Sequence, residues 1–254
     1  MSHLDQRLEN KRVFITGASG GLGEQVAYQA ARRGAIVIVA ARREDRLTEV
    51  RERCMKLSGR DAFAYGLDVG DRMQVSKVLN RIIGEAGGKI DVLVNSAAVY
   101  SRRPLSETDA QRLADAYAVN FIAPFLLMRS FATVCRKGAI INLLDQRVAQ
   151  ADFRAGAYGL AKKSLRDATE AAALEWAPRI RVNGVAPGLV APPPGVPWEK
   201  MSPLLARVPT QRAVTMEEVA RACLFLAQMN AITGQTLYLD GGLHLLGPNA
   251  AGEK

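Results

Sequence analysis

The sequence contains very little histidine and cysteine. Its 254 residues include two histidines, His3 and His244, and three cysteines, Cys54, Cys135 and Cys223. Two histidines near the ends of the chain argue against histidine-based catalysis and against metal binding. Three cysteines at wide spacing suit neither a disulfide framework nor a zinc site. We therefore expect no metal site, and we interpret the cysteines as reduced packing residues.

Long apolar runs are also missing. No run approaches the about 18 residues needed to cross a bilayer, and the opening MSHLDQR lacks the apolar stretch of a secretory signal. These absences predict a cytoplasmic protein with no membrane partner. The net charge is +9, but the basic residues are scattered through helix-like segments and form no single arm. This distribution favours a surface that attracts anionic cofactors over a nucleic-acid-binding protein.

Short apolar runs alternate with amphipathic segments along the whole chain. The candidate strands are residues 13–15, 36–39, 62–65, 92–94, 139–141, 180–182 and 237–239. Helical patterns cover residues 23–33, 43–57, 71–84, 117–136, 157–176 and 215–228. Strands that are apolar throughout and separated by helices indicate a parallel sheet covered on both faces. We predict an α/β fold, a single Rossmann-type doubly wound domain over residues 1–254 with about seven parallel strands.

One segment is too rich in proline for a regular element. Prolines occupy positions 187, 192, 193, 194, 197, 203 and 209. Such a segment is typical of a loop or lid. We predict a substrate lid at about residues 189–207, whose apolar members, including Leu189, Trp198 and Met201, close over the substrate.

A glycine-rich turn follows the first candidate strand and precedes the first candidate helix. It reads Thr-Gly-Ala-Ser-Gly-Gly-Leu-Gly and contains the residues predicted to bind the cofactor phosphates, which are Gly17, Ser19, Gly21, Leu22 and Gly23. Glycines allow a tight turn and bring the positive end of a helix against a pyrophosphate. The position of the turn between strand and helix therefore predicts a dinucleotide-binding site.

The second candidate strand ends without an acidic residue. NAD-specific sites normally place an acid there to bind the ribose 2′-hydroxyl, but this strand runs into Arg42 and Arg43. A carboxylate repels a 2′-phosphate, whereas a guanidinium binds it through paired charged hydrogen bonds. The cofactor predicted is NADPH/NADP, with Arg42 as the main determinant of that preference.

Tyr158 and Lys162 form a candidate catalytic pair. A phenol with a pKa of about 10 is a poor proton donor and acceptor at neutral pH unless a cation stabilises the phenolate. Lys162 lies one helical turn beyond Tyr158 and therefore on the same helix face. We interpret Tyr158 as the proton donor.

These motifs together resemble the short-chain dehydrogenase/reductase family over nearly the whole chain. The resemblance rests on the TGxxxGxG turn, the YxxxK pair, Thr233-Gly234-Gln235, Asp240-Gly241-Gly242, and the further positions Asp68, Val69, Asn95, Ser96, Ala97, Asn120, Pro187 and Gly188. It implies an oxidoreductase in which these residues, except Asn120, line the cofactor site or support it. It also implies that Lys162 binds the nicotinamide ribose, that Asn120 holds a proton-relaying water, and that the protein is a homotetramer.

Asp145 departs from the usual pattern of that family. Most members have a serine thirteen residues before the tyrosine, and this chain has Asp145 there. An ionised carboxylate opposes the negative charge that a ketone oxygen gains, but it suits a substrate with N–H donors. In this respect the chain is similar to pteridine reductases and to bacterial dihydromonapterin or dihydrofolate reductases. The resemblance implies a pterin-like small-molecule substrate that stacks on Tyr100 and contacts Asp145, Leu189 and Trp198.

Three other functions remain open from the sequence. The first is a ketone or 3-oxoacyl reductase of the same fold, in which Asp145 is present but unused. The second is a cofactor-sensing protein without turnover, which would need no proton relay from Tyr158, Lys162 and Asn120. The third is a nucleic-acid-binding protein, whose binding would depend on salt and would not compete with NADPH.

Overall fold

Seven parallel strands form one sheet in the computed structural model, which describes residues 8–190 and 202–246. The strands are β1 (Arg12–Thr16), β2 (Ile36–Ala41), β3 (Ala62–Gly66), β4 (Val92–Asn95), β5 (Gly138–Leu143), β6 (Ile180–Pro187) and β7 (Thr236–Leu239). Their order across the sheet is β3-β2-β1-β4-β5-β6-β7. The predicted doubly wound α/β fold is confirmed, and every predicted strand position falls within one of these strands.

Helices cover both faces of this sheet. They are α1 (Gly21–Ala31), α2 (Glu44–Ser58), α3 (Arg72–Glu85), α4 (Ala110–Tyr117), α5 (Ala123–Val134), α6 (Gly156–Trp176), α7 (Ser202–Leu205) and α8 (Met216–Gln228). Successive side chains of a strand point to opposite faces, so Val13 and Ile15 pack in the core beneath α1, α2 and α8, while Phe14 packs in the core beneath α3, α5 and α6. Strands that serve two cores are apolar throughout, which explains the sequence pattern.

The predicted helix over residues 117–136 is longer and less regular than its pattern indicates. It begins at Ala110, where Asp109 caps it by accepting a hydrogen bond from the backbone N–H of Arg112, and a π-helical turn, Ala118–Ile122, divides α4 from α5. Residues 110–116 were not predicted as helix. The cap at Asp109 was the available signal.

The combined helical stretch Ala110–Val134 bears on the expectation that no segment crosses a membrane. It has 25 residues and, within the described part of the chain, is the one helix long and apolar enough to cross a membrane. It packs against α3 and α6 beside the sheet, and 33% of its most apolar window is buried in the subunit. A helix packed in a fold can have this length and composition, so the stretch by itself does not overturn the expectation.

A buried polar chain links β4, β5 and α6. Asn95 donates from Nδ2 to Oδ1 of Asn142 at 2.8 Å, and Asn142 donates from Nδ2 to Oγ1 of Thr169 at 2.8 Å. Thr169 in turn donates to the carbonyl of Leu165 at 2.7 Å. Buried polar groups in such a chain are costly to leave unpaired.

Replacing Asn142 with leucine should therefore lower the free energy of unfolding by about 1–3 kcal/mol, because the amide of Asn95 loses its buried acceptor. Denaturant unfolding monitored by circular dichroism measures this. Thr133→Ala is the control, since it removes an exposed hydrogen bond to the Arg129 carbonyl and should cost within about 0.5 kcal/mol. Equal midpoints for Asn142→Leu and the parent protein would show that this chain does not stabilise the fold.

Candidate active site

The predicted site residues follow the carboxyl ends of neighbouring parallel strands. The sheet order reverses between β1 and β4, which are adjacent although β2 and β3 follow β1 in sequence. In open α/β sheets, ligands bind in the crevice at such a reversal. The glycine-rich turn, residues 95–100, Asp145 and residues 187–189 all leave their strands at this edge of the sheet.

The glycine-rich turn is packed tightly against the end of β4. Gly17 has a φ of 68°, and a Cβ at this position would lie 2.6 Å from Cα of Ala97. Oγ1 of Thr16 accepts hydrogen bonds from the backbone N–H groups of Ser96 and Ala97 at 3.2 and 3.3 Å. A Cβ at Gly23 would lie 2.6 Å from the carbonyl oxygen of Gly17. Because Gly17 and Gly23 have no side chains, the turn, the start of α1 and the end of β4 can pack in direct backbone contact.

The start of α1 fits an anionic group. Its N-cap is Gly20, and no side chain caps the helix. The first N–H groups of a helix lack partners within the helix and carry partial positive charge. The turn therefore meets the requirements for binding a cofactor pyrophosphate through Gly21, Leu22 and neighbouring backbone groups.

Two substitutions separate steric contact from backbone conformation at this turn. Gly17→Ala and Gly21→Ala both place a Cβ on a residue with positive φ, 68° and 58°, but no heavy atom lies within 4 Å of a Cβ at Gly21. We expect Gly17→Ala to be less stable than Gly21→Ala by about 1–3 kcal/mol, because only the former displaces Ala97. Denaturant unfolding of both variants measures the difference. Equal stabilities would mean that the β4 loop moves aside freely.

Of the two arginines after β2, Arg43 contacts the turn. Its Nη2 donates to the carbonyl of Ser19 at 2.8 Å and lies 3.5 Å from Oγ of the same residue. Arg43 is the N-cap residue of α2, and both arginines are exposed. Arg43 therefore lies against the glycine-rich turn, whereas the sequence analysis assigned the main role in cofactor preference to Arg42.

The other predicted cofactor residues lie along the same edge, but two of them also support the fold. Asp68 accepts a hydrogen bond from the backbone N–H of Gly70 at 2.9 Å, and Asn95 belongs to the buried chain with Asn142. Val69 is partly buried beside this chain. Pro187 ends β6.

Gly188 follows Pro187 at a close approach of two chain segments. Its N–H donates to the carbonyl of Leu239 at 2.8 Å. A Cβ at Gly188 would lie 2.7 Å from Cα of Asp240, so only glycine lets the end of β6 lie this close to the end of β7.

Asn120 lies in the π-helical turn and is fully buried. Its Nδ2 donates to the carbonyls of Val99 and Ala116, each at 3.0 Å, and its Oδ1 accepts from the N–H of Val99 at 3.2 Å. The side chain thus fixes the loop after β4 to the helix. Both amide hydrogens are used within the protein, and π turns are frequent at functional sites because they expose backbone carbonyls.

Tyr158, Lys162 and Asp145 come together at the end of β5. The hydroxyl of Tyr158 donates to Oδ2 of Asp145 at 3.0 Å. Nζ of Lys162 donates to the carbonyl of Leu143 at 2.6 Å and lies 6.0 Å from the centroid of the Tyr158 ring. α6 presents both side chains one turn apart. The thirteen-residue spacing therefore corresponds to a direct hydrogen bond.

Burial and the carboxylate change the acidity of this pair. Burial, followed by the charge and hydrogen bond of Asp145, raises the pKa of Tyr158 well above its ordinary value. Burial lowers the pKa of Lys162 to about 8, against the opposing effect of Asp145. Tyr158 therefore keeps its proton at neutral pH but is a weaker acid than a free phenol, which runs against the expectation that Lys162 favours its phenolate. Lys162 still carries its charge at neutral pH.

Arg147 is a member of this group that the sequence analysis missed. Its Nη1 lies 3.2 and 3.1 Å from Oδ1 and Oδ2 of Asp145, and its Nε donates to Oδ2 of Asp152 at 2.9 Å. Burial opposes its charge, but Asp145, Tyr100 and Asp152 raise its pKa above the ordinary value. The sequence signal for this contact was an arginine two residues after Asp145, the acid that departs from the family pattern.

Tyr100 lies beside Tyr158. The two rings meet edge to face, with centroids 5.0 Å apart and planes at 87°. Tyr100 is 45% exposed, which leaves room for a flat ligand on its ring.

Leu189 is partly buried and accepts a hydrogen bond from the N–H of Val214 at 2.9 Å. Trp198 and residues 191–201 of the predicted lid lie outside the described residues.

Similarity to known proteins extends over this whole arrangement. A family model described as Enoyl-(Acyl carrier protein) reductase matches residues 17–244, from the glycine-rich turn to beyond β7. A glucose 1-dehydrogenase from Gluconobacter oxydans is 34% identical over an alignment of 253 positions that covers 95% of this chain and 94% of that protein. The chain belongs to the short-chain dehydrogenase/reductase family.

Two further relatives differ in what their names say they act on. A 3-oxoacyl-[acyl-carrier-protein] reductase from Thermotoga maritima is 32% identical and covers 93% of this chain and 99% of its own length. The crystal structure of FolM alternative dihydrofolate reductase 1 from Brucella canis, complexed with NADP, has a TM-score of 0.86 at 28% identity and covers 94% of this chain and 96% of its own. This short-chain dehydrogenase/reductase is thus an oxidoreductase that uses a nicotinamide dinucleotide and a small-molecule substrate.

Proposed function

We propose that this short-chain dehydrogenase/reductase is an NADPH-dependent reductase of a pterin-like substrate, a dihydropteridine or dihydrofolate. The observation that carries the proposal is the hydrogen bond from Tyr158 to Asp145, at 3.0 Å. It puts a carboxylate in direct contact with the proton donor, where most members of the family have a serine hydroxyl. The Brucella canis dihydrofolate reductase shows that this fold can carry such an activity.

The residues at the cofactor edge fit NADPH. The uncapped start of α1 and the bare backbone of Gly17 and Gly23 suit the pyrophosphate. The guanidinium of Arg43 beside Ser19 suits a 2′-phosphate, and no acid stands at the end of β2 to repel it. NADPH, when bound, supplies the hydride. Lys162 would hold the nicotinamide ribose hydroxyls, as the family resemblance implies.

The chain's own groups supply orientation and the proton. When the Tyr158 hydroxyl turns from Oδ2 of Asp145 to the substrate, Oδ2 can accept a hydrogen bond from an N–H or amino group of the pterin ring and so orient its C=N bond. Tyr158 donates its phenolic proton to the ring nitrogen, and that proton balances the hydride added at the adjacent carbon. Lys162 stabilises the phenolate that results, and a water at the backbone of the Asn120 turn returns a proton. Tyr100 provides a face on which the ring stacks.

A screen of NADPH oxidation tests this proposal. The purified protein is mixed with NADPH and, in turn, with dihydrobiopterin, dihydrofolate, a quinone, small ketones and a 3-oxoacyl thioester. We expect turnover with at least one pterin and little with the ketones. Turnover of ketones or the thioester with none of the pterins would overturn the proposal.

The alternative is a ketone or 3-oxoacyl reductase. Arg147 favours it, since the guanidinium offsets the charge of Asp145 and so reduces the repulsion of a developing alkoxide. The Thermotoga maritima relative is named for this activity. In this case the Tyr158 hydroxyl would turn from Asp145 to the substrate carbonyl, and Asp145→Ser would raise the rate.

A homotetramer and a cytoplasmic location are further proposals. Apolar side chains on the outer faces of α4, α5 and α6 support an assembly of subunits: Leu113, Phe125, Leu160 and Leu174 are 40%, 42%, 42% and 84% exposed. Light scattering after size-exclusion chromatography measures the subunit number directly. A monomer at micromolar concentration would contradict the assembly.

A further inference from the structure

Arg147 takes no part in the proton transfer described above, yet it contacts three parts of the site. Its Nη1 lies within 3.2 Å of both oxygens of Asp145, and its Nε donates to Asp152 at 2.9 Å. Its Cζ lies 5.6 Å from the centroid of the Tyr100 ring. One guanidinium thus joins the end of β5, the turn before α6 and the loop after β4.

We propose that Arg147 is a positioning residue that holds the Asp145 carboxylate against the Tyr158 hydroxyl. The proposal rests on the proposed function only in requiring that Asp145 acts together with Tyr158. It does not depend on which substrate the pair reduces.

The hydrogen bonds of the carboxylate carry this proposal. Oδ1 accepts from the backbone N–H of Arg147 at 2.9 Å and from Nη1 at 3.2 Å, while Oδ2 accepts from Nη1 at 3.1 Å and from the hydroxyl of Tyr158 at 3.0 Å. Both oxygens are therefore engaged, and rotation of the carboxylate would break several charged hydrogen bonds at once. Without Arg147, Oδ2 would be free to leave Tyr158.

The charges around the carboxylate support the same role. Asp145 and Asp152 each pair with Arg147, and Asp145 also acts on the charge of Lys162, so the formal charges of these four side chains cancel. Side chains of Asp145 and Arg147 are only 13% and 26% exposed, so removing the guanidinium would leave a poorly solvated carboxylate without its partner. It would also leave net negative charge at a site that receives a hydride.

A double-variant cycle tests whether Arg147 acts through Asp145. Arg147→Met should lower kcat/KM by about 10- to 100-fold, mainly through kcat, because the carboxylate loses its alignment. Arg147→Lys should recover part of this loss, since an ammonium retains the charge but cannot bind both oxygens in a fixed geometry. In the Asp145→Ala background, Arg147→Met should change kcat/KM by less than about threefold, because the group that it positions is gone.

Losses that multiply in the double variant would overturn the proposal, because Arg147 would then contact the substrate independently of Asp145. Arg181→Met is the matched control for a purely structural role. Arg181 is also partly buried, and it donates to the carbonyls of Leu226, Ala227 and Ile232 near the start of β6. We expect Arg181→Met to lower the unfolding midpoint with kcat/KM within about twofold of the parent. If Arg147→Met likewise lowers only the unfolding midpoint and leaves kcat/KM within about twofold, Arg147 has a structural role alone.

The choice of substrate distinguishes failure of the positioning role from failure of the proposed pterin function. If the parent protein reduces ketones and no pterin, the proposed pterin function fails, and the same cycle is measured with the ketone. A loss of rate in Asp145→Ala together with a loss in Arg147→Met that requires Asp145 would support positioning there too, whereas a gain of rate in Asp145→Ala would contradict it. Independent effects with either substrate would contradict it.

Discussion

Replacing Arg43 with glutamate should weaken the binding of NADPH by about 30- to 1000-fold, which is about 2–4 kcal/mol, and should leave the binding of NADH nearly unchanged. Arg43 reaches across the glycine-rich turn to Ser19, and a carboxylate there would turn an attraction for the 2′-phosphate into a repulsion. Fluorescence titration with each cofactor measures both affinities. Because the site is exposed, the loss should shrink as ionic strength rises.

Arg42→Glu is the comparison that isolates geometry from charge. It makes the same charge change one residue earlier, whereas Arg43 is the residue that contacts Ser19, so its effect on NADPH should be smaller than that of Arg43→Glu. A larger effect at Arg42 would restore the assignment drawn from the sequence. Equal affinities of the parent protein for NADH and NADPH would reject any role of either arginine in cofactor choice.

The strands and the cofactor turn were predictable because they depend on local patterns. A strand buried on both faces must be apolar at every position, so residues 36–39 and 139–141 can be predicted as strands from their apolar composition. The turn depends on glycines at fixed spacing, and Gly17 is required by a contact that any Cβ would prevent. These signals need no knowledge of distant residues.

The arrangement around Asp145 depended on tertiary contacts and was predictable only in part. The thirteen-residue spacing predicted that Asp145 and Tyr158 belong together, since β5 and α6 are consecutive elements of a known motif. Arg147 was missed because its three contacts come from separate loops. The choice between Arg42 and Arg43 also lay outside the sequence, because adjacent residues at a strand-to-helix junction point in different directions.

The contact between Lys162 and the Leu143 carbonyl has a similar origin. It joins residues nineteen positions apart through the packing of α6 on β5. The sequence predicted Lys162 as the cation beside Tyr158, and the structure adds a backbone acceptor that holds the ammonium in a fully buried position. Burial explains the lowered pKa of Lys162, which no local pattern indicates.

Replacing Asp145 with alanine should lower kcat/KM for the true substrate by about 10²- to 10⁴-fold, with the affinity for NADPH nearly unchanged. The substitution removes the group that orients the substrate and accepts the hydrogen bond of Tyr158. Steady-state kinetics with the pterin found in the screen, together with a cofactor titration, measure the two effects separately. A parallel loss of NADPH affinity would indicate a disturbed cleft and not a missing catalytic group.

Asp145→Ser distinguishes a working carboxylate from one that is merely tolerated. It restores the hydroxyl typical of the family, which can donate a hydrogen bond to a ketone oxygen but cannot accept one with the strength of a carboxylate. Pterin reduction should therefore fall, while any trace activity on small ketones should stay level or rise. Arg147 would keep its ion pair with Asp152 in this variant, so the loop before α6 should remain in place. If Asp145→Ser retains full pterin activity, the carboxylate has no special role, and the chain is better described as a general carbonyl reductase.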